Sequence, residues 1–235
     1  GWFGFNAGSA LASGQLTATV FMNTQVATAT AALSWILVEK IRDGKPTTLG
    51  VASGAVAGAV AITPACGFVT PMGALLVGAA GGAICSLAVG LKYKFGYDDS
   101  LDVVGVHGVG GLVGMISIGL LATVSVNSAG ADGLLYGGGA GLLGRQLIAS
   151  GATLAYALIV TAVLAFIVEK TVGLRTSPEN EYAGLDISEH AESAYDFTGS
   201  SAGAFAGVGH GGFGHAGGSG TGTLAPPPST APTAC

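Results

Sequence analysis

Long apolar stretches, separated by short groups of charged and turn-forming residues, are the main pattern along this chain. An α-helix needs about 20 predominantly apolar residues to cross the hydrocarbon core of a bilayer. The opening apolar run, residues 1–11, is shorter than that, so we expect the chain to begin partway through a helix. The pattern predicts an all-α membrane protein with further spans at residues 16–38, 47–66, 71–91, 101–124 and 142–172.

Basic residues are distributed unevenly among the loops between these spans. With the predicted spans, seven of the eight Lys and Arg residues fall on one side of the membrane, and Arg145 is the exception. Cytoplasmic loops carry an excess of Lys and Arg. We therefore predict that this side, together with the C-terminal tail, is cytoplasmic. The residues concerned are Lys40, Arg42, Lys45, Lys92, Lys94, Lys170 and Arg175.

Composition supports the membrane assignment and limits the partners. Only 9% of the residues are charged, 50% are hydrophobic and the mean hydropathy is +0.64, whereas soluble domains carry about 25% charged residues. Residues 1–174 hold seven basic and seven acidic residues, so the net charge of −5 lies entirely in the tail. An acidic tail argues against a lipid-binding polybasic segment and against nucleic-acid binding.

Glycines recur at four-residue spacing in three of the predicted spans. Small residues on one helical stripe let backbones approach closely, and this packing replaces the hydrophobic drive that is absent in lipid. The spacing predicts a tightly packed bundle without identifying a substrate. The glycines are Gly50, Gly54, Gly58, Gly78, Gly82, Gly110 and Gly114.

His107 is the single histidine among residues 1–173. It lies about 9 Å inside a span that starts at Leu101, taking a rise of about 1.5 Å per residue. Ionisable residues within spans are functional candidates by default, so we predict a buried neutral histidine in a pore or transporter. A histidine satisfied by hydrogen bonds to neighbouring helices is the structural alternative, and both remain open at this point.

Other polar and aromatic residues carry weaker signals. Asp102 is expected to cap the N-terminus of the helix that holds His107. Trp2, Phe5 and Ser9 share one helical face, which by itself is typical of packing or of a membrane interface. Cys66, Cys85 and Cys235 have no metal or redox spacing. With no nucleophile–base pair and no ligand cluster, the sequence predicts no enzyme, no metal site and no cofactor.

Several motifs in register resemble ammonium transporters of the Amt/MEP/Rh family, in particular the bacterial Amt proteins. The resemblance runs from residue 1 to about residue 197. The motifs are residues 1–9 (GWFGFNAGS), 63–68 (TPACGF), 102–109 (DVVGVHGV), 171–175 (TVGLR) and the tail segment 184–195.

The resemblance implies a fold of two inverted five-helix repeats plus an eleventh helix, assembled as a homotrimer with one pore per subunit. This chain would hold the second repeat and the last helix only. The implied division is a transmembrane domain (1–174), a cytoplasmic tail (175–197) and a Gly/Ser/Pro-rich segment expected to be disordered (198–235).

The resemblance also assigns roles to single residues. Phe5 resembles a phenylalanine that gates the outer entrance, and Ser9 resembles the hydroxyl of the outer ammonium-recruitment site. Trp2 resembles a substrate-facing tryptophan on the same helix. His107 resembles one of two paired pore histidines, the other lying outside this chain, and Asp102 would belong to the inner end of the pore.

The implied function is ammonium uptake across the plasma membrane, with NH4+ recruited and deprotonated outside and ammonia crossing an apolar pore in the lipid bilayer. A P-II-type signalling protein is an implied partner at the cytoplasmic face. The tail departs from the family pattern at Ala183 and Ala191, where Glu and Gly are usual. The alternatives are an ammonium-sensing or Rh-like member, or a non-conducting regulatory membrane subunit.

Overall fold

The computed structural model describes residues 1–193, and every regular element in this part of the chain is helical. A π-helical segment, Val103–Gly108, precedes α6, and a single 3-10 turn, Leu134–Tyr136, lies between α6 and α7. The α-helices are α1 (Trp2–Gly8), α2 (Gln15–Asp43), α3 (Thr48–Ile62), α4 (Pro71–Ala88), α5 (Leu91–Phe95), α6 (Val109–Leu121), α7 (Gly141–Thr171), α8 (Pro178–Ala183) and α9 (Leu185–His190).

Helices α2, α3 and α4 form the packed centre of the bundle because glycines let their backbones touch. A methyl group on Gly58 of α3 would lie 2.5 Å from the Ala31 Cβ and 2.9 Å from the Thr28 Cα of α2. On α4, Gly78 lies against the backbone of Ala27 in the same way. The glycine spacing in the sequence therefore predicted the helix contacts correctly.

Helix α6 joins this bundle through the same kind of contact. Gly110 lies against Val60 of α3 and Cys85 of α4, and Gly114 lies against the Ala61 carbonyl and the Pro64 ring. The resulting core is made mostly of alanine and valine side chains, so its stability comes from close packing and dispersion rather than from large apolar residues.

Threonine hydroxyl groups cap the N-termini of helices α3 and α4. The Thr47 Oγ accepts a hydrogen bond from the Gly50 amide at the start of α3. The Thr70 Oγ does the same for the Gly73 amide at the start of α4, where Pro71 occupies the first turn. Each contact satisfies an amide that has no partner inside the helix.

Helix α2 is longer than the sequence pattern predicted. It continues past Val38 to Asp43, and Gly44 ends it with a left-handed φ of 81°. Glu39 is consequently a buried helical residue rather than part of a charged turn. Its carboxylate accepts hydrogen bonds from Trp35 Nε1 (3.1 Å) and from the Thr47 amide (2.9 Å).

The predicted span at residues 47–66 is not one continuous helix. Helix α3 ends at Ile62, and consecutive turns follow as far as Val69. Pro64 has no amide hydrogen to continue the helical ladder, which explains the change. The side-chain Nδ2 of Asn23 in α2 donates to the backbone carbonyls of Cys66 (2.9 Å) and Val69 (2.8 Å). Buried backbone groups in a membrane protein need such internal partners.

Among residues 1–193, four helical stretches are long and apolar enough to cross a membrane, and the apolar helix Thr48–Ile62 is shorter. The four are Gln15–Asp43, Pro71–Phe95, Val103–Leu121 and Gly141–Thr171. The described chain forms two units, which divide between Val168 and Glu169. The expected disordered segment, 198–235, lies outside the described residues.

In the second unit, helices α8 and α9 contact each other. Asn180 Nδ2 donates to Glu189 Oε1 over 3.1 Å, and the Ser177 hydroxyl accepts from the Asn180 amide at the start of α8. The Asn180–Glu189 hydrogen bond thus joins the two short helices, and the Ser177 cap stabilises the start of α8.

Candidate functional site: the Trp2–His107 cavity

An open cavity of about 480 Å³ lies between α1, α3, the π-helical segment, α6 and α7, within the first unit. Its walls are largely apolar, with Val60, Leu112, Met115 and Leu154 among them. The polar groups that reach it are few, namely Trp2, Thr63, His107, Ser150 and Thr153. An apolar cavity with a few convergent polar groups is the usual form of a small-molecule site.

Trp2 and His107 face each other across one side of this cavity. Their ring centroids are 6.4 Å apart and the ring planes differ by 25°, a stacked arrangement. Trp2 comes from α1 and His107 from the π-helical segment, so the contact joins residues more than 100 positions apart in the chain. The sequence named both residues separately, and the structure brings them together.

The Trp2 indole is held in place by a hydrogen bond to Thr63. Trp2 Nε1 donates to the Thr63 Oγ over 2.8 Å, while the Thr63 hydroxyl lies 2.7 Å from the Ala59 carbonyl. Since a buried or half-buried indole N–H needs an acceptor, this contact fixes the ring orientation. Thr63 was not selected as a site residue from the sequence, although its hydroxyl stands out in an apolar run.

Asn6 extends this polar network behind α1. The Asn6 side chain is buried, its Nδ2 donates to the Thr24 Oγ (3.1 Å), and the Thr63 hydroxyl lies 3.2 Å from its Oδ1. Helix α1 is also fixed by stacking of Phe3 on Phe21, with ring centroids 4.5 Å apart. The short first helix therefore presents Trp2 from a defined position.

Phe5 and Ser9 lie on the exposed part of the same helix. The Phe5 side chain is 65% exposed and meets the Trp2 ring edge-on, with centroids 6.3 Å apart. The Ser9 hydroxyl donates to the Phe5 carbonyl over 3.0 Å. Its proton is thus engaged, and its lone pairs are free to accept hydrogen bonds.

His107 itself is exposed, so the expectation of a buried histidine is wrong for this chain taken by itself. The reason is that its imidazole stacks on Trp2 of α1 on one side and borders the open cavity on the other. The backbone around it is packed, however, because Gly105 and Val106 are buried. The backbone of His107 is therefore held by its packed neighbours, while its side chain is exposed.

Asp102 does not cap its helix through its side chain, contrary to the sequence expectation. It occupies the N-cap position with a left-handed φ of 56°, and its carboxylate makes no capping hydrogen bond. Asp99 caps instead, accepting from the amides of Val103 (2.7 Å) and Val104 (2.9 Å). Asp102 pairs with Lys92, whose Nζ is 2.7 Å from the Asp102 Oδ1.

Among residues 1–193, no three His, Cys, Asp or Glu side chains converge as metal ligands would. Cys66 and Cys85 are both buried free thiols. The candidate site therefore consists of aromatic rings, an imidazole and hydroxyl groups around an apolar volume. Such a surface is able to stack against a solute and to exchange single hydrogen bonds with it.

Several known proteins are similar to this chain in sequence and in fold. The Ammonium Transporter Family model matches residues 1–195. An ammonium transporter of Mycobacterium tuberculosis is 54% identical over 202 residues, covering 84% of this chain and 42% of the relative. The crystal structure of Saccharomyces cerevisiae Mep2 has a TM-score of 0.69 at 36% identity, covering 76% of this chain and 41% of Mep2.

A further solved structure, described as a sensor Amt protein, has a TM-score of 0.68 at 26% identity, covering 80% of this chain and 45% of that one. This chain thus spans less than half the length of these relatives. The M. tuberculosis relative is named an ammonium transporter, which agrees with the prediction that the chain is not an enzyme. The predicted all-α membrane fold is confirmed, and the chain belongs to the ammonium transporter family.

Proposed function

We propose that this chain supplies one side of an ammonium-conducting pore, with His107 and Trp2 lining the path. The observation that carries the proposal is the stacked pair of these two rings on an apolar cavity of about 480 Å³. Only groups that line such a cavity are able to contact a small solute on its way through.

The chemistry of the cavity favours neutral ammonia over the ammonium ion. Moving an unpaired cation into an apolar medium costs many kcal/mol, whereas the neutral molecule pays only for its hydrogen bonds. A neutral imidazole both accepts and donates a hydrogen bond, so His107 is suited to guide ammonia and to relay a proton. We infer that NH4+ is deprotonated before it enters and that the net transport is electrogenic.

Recruitment of NH4+ is assigned to the exposed end of α1. The Ser9 hydroxyl donates to the Phe5 carbonyl, so towards a solute it acts as an acceptor, as an ammonium N–H requires. Aromatic faces attract cations within about 6 Å, and Phe5 and Trp2 present two rings on this helix. Phe5, which is largely exposed, is proposed as the gate between this site and the cavity.

The pore is proposed to close only when a second segment covers the open side. His107 is exposed and α7 has no buried residue. This exposure is expected if helices that the longer relatives have in addition pack against His107 and α7. On this basis we propose a partner histidine outside the chain. From the family resemblance we further propose a homotrimer in the plasma membrane and Asp102 at the inner end of the pore. The distribution of Lys and Arg supports a cytoplasmic tail. A P-II-type protein remains the proposed partner of the tail.

The test uses a chimaera in which the segment of the M. tuberculosis relative that precedes the matched region is joined to residues 1–235. We expect methylammonium uptake and an inward current from the chimaera, and neither from residues 1–235 alone. Uptake by residues 1–235 alone would contradict the need for a covering segment.

His107→Ala in the chimaera should abolish at least about 90% of the uptake, as expected for loss of a group at the reacting centre. His190→Ala is the matched control, because it removes a histidine of α9 that is not among the residues lining the cavity. If uptake and current of His107→Ala equalled those of His190→Ala at the same membrane abundance, the role of His107 would be refuted.

A sensing role is the second candidate, because one structural neighbour is described as a sensor Amt protein. A sensor predicts ammonium binding to the chimaera without sustained uptake or current. The regulatory-subunit alternative predicts neither binding nor transport. Uptake and current, together with a measurement of ammonium binding to the chimaera, therefore separate the three functions.

A further inference from the structure

The backbone just before His107 has a strained and unusual conformation. Asp102 has a φ of 56°, which residues other than glycine rarely adopt. The next six residues, Val103–Gly108, form a π-helical segment, in which the Val109 amide bonds to the Val104 carbonyl five residues back. Such segments occur frequently at functional sites, and surrounding contacts must stabilise them.

One set of these contacts is ionic and lies at the start of the segment. The Asp99 carboxylate accepts hydrogen bonds from the Val103 and Val104 amides. Lys92 then joins both residues, since its Nζ is 2.7 Å from the Asp102 Oδ1 and donates to the backbone carbonyl of Asp99 over 3.0 Å. The Lys92 side chain is only 15% exposed, so water screens this ion pair less than it would at an open surface.

The other set of contacts fixes the middle of the segment against α4. A methyl group on Gly105 would lie 2.9 Å from the backbone of Val89, so the backbones of these two segments are in direct contact there. The Cys85 Sγ also points at the Val106 carbonyl, 3.8 Å away. With its start and its middle both held, the segment has one free side, and that side carries His107 and Gly108 into the cavity.

We propose that Lys92 is a positioning residue for His107. It holds the left-handed Asp102 and the Asp99 cap together, and the π-helical segment then presents the imidazole stacked against Trp2. Lys92 does not line the cavity, so it acts through the backbone and not on the solute. This proposal rests on the proposed role of His107 in the pore.

A simpler reading is that Lys92 matters only as one of the basic residues that orient the protein in the membrane. Lys94 distinguishes the two, because it lies on the same short helix α5 and carries the same charge. Its Nζ contacts the Phe95 ring at 5.7 Å and its side chain is exposed. Lys92→Met and Lys94→Met therefore remove the same charge from the same loop, and only the first breaks the contact with Asp102.

The experiment compares these two variants and Lys92→Arg in the chimaera, at equal membrane abundance. We expect Lys92→Met to lower the maximal methylammonium uptake about tenfold, as small misplacements of a reacting group do. The apparent KM should change much less, since Ser9 and Phe5 are untouched. Lys94→Met should match the parent, and Lys92→Arg should recover most of the loss.

Hydrogen–deuterium exchange supplies a second measurement that does not depend on transport. The Val103 and Val104 amides should exchange faster in Lys92→Met than in Lys94→Met, because the Asp99 cap is loosened. Equal uptake and equal exchange in the two variants would overturn the proposal. If the unaltered chimaera transported nothing, the proposed function would fall, and the exchange comparison would still decide whether Lys92 holds the segment.

Discussion

The centre of the bundle and its cavity side are built from similar apolar residues but packed in opposite ways. Where α2 meets α3 and α4, a single added methyl group would overlap backbone atoms, as at Gly58 and Gly78. Gly111, which lines the cavity, has nothing within 4 Å of the same added atom. Apolar composition alone therefore does not distinguish the packed centre from the side that lines the cavity. The distance between neighbouring backbones distinguishes them.

The largest effect is expected from the paired substitutions Gly78→Ala and Gly111→Ala. Gly78→Ala forces a methyl group against the Ala27 backbone and should destabilise the folded protein by about 1–3 kcal/mol, the usual cost of overpacking. Gly111→Ala should cost no stability. Thermal unfolding of the purified chimaera, followed by the loss of monodisperse protein on a sizing column, measures both.

If both glycine variants lost equal stability, the contrast between a closed centre and an open cavity side would be wrong. The comparison is controlled internally, because each variant adds the same group to a glycine in a helix. It also separates a folding defect from a transport defect, since uptake is normalised to the folded protein in the membrane.

A smaller effect is expected from Thr63, which joins the packed α3 to the cavity-lining Trp2. Thr63→Val keeps the shape but removes the acceptor for Trp2 Nε1, a loss of about 1 kcal/mol or several-fold in transport. Thr63→Ser keeps the hydroxyl and should behave like the parent. Uptake rates, together with the melting temperature, show whether the loss lies in transport or in folding.

The Thr63 comparison would fail if Thr63→Ser lost as much transport as Thr63→Val. Side-chain volume rather than the hydrogen bond to Trp2 would then be the important property of Thr63. The stacked position of Trp2 on His107 would in that case depend on α1 packing, through the Phe3–Phe21 contact.

The smallest effect is expected from Ser9→Ala at the exposed end of α1. The loss of one hydrogen-bond acceptor for NH4+ should raise the apparent KM about two- to tenfold. The maximal uptake rate should stay near that of the parent, because the cavity is unchanged. A lowered maximal rate with an unchanged KM would contradict the assignment of Ser9 to recruitment.

Several elements of the fold were predictable because they depend on local patterns. Gly54, Gly58, Gly78 and Gly82 are spaced to share helix faces, and the structure places all four against α2. Hydropathy likewise located the long helices. The end of α3 was missed, because the length of an apolar run does not reveal that Pro64 interrupts the hydrogen-bond ladder.

The candidate site was predictable only in part. Trp2, Phe5, Ser9 and His107 were selected by residue type and by family resemblance, and Trp2 and His107 do line one cavity. Asp102 was assigned the capping role that Asp99 performs, because both acids precede the same helix and sequence distance does not separate them. Thr63 and Lys92 were noted only as part of a family motif and as one of the orienting basic residues, and their contacts with Trp2 and Asp102 were not predicted.

The sequence by itself determined which segments are apolar helices, which glycines allow close approach and which single histidine lies inside a span. These properties follow from side-chain type and helical period, which are local. The tertiary structure decided that His107 stacks on Trp2, that Thr63 holds the indole, and that Lys92 pairs with Asp102. The first two contacts join segments that are far apart in the chain, so they arise only when the packed helices fix where each segment lies. Lys92 and Asp102 are close in sequence, and the fold decides that Asp102 rather than Asp99 forms the ion pair with Lys92.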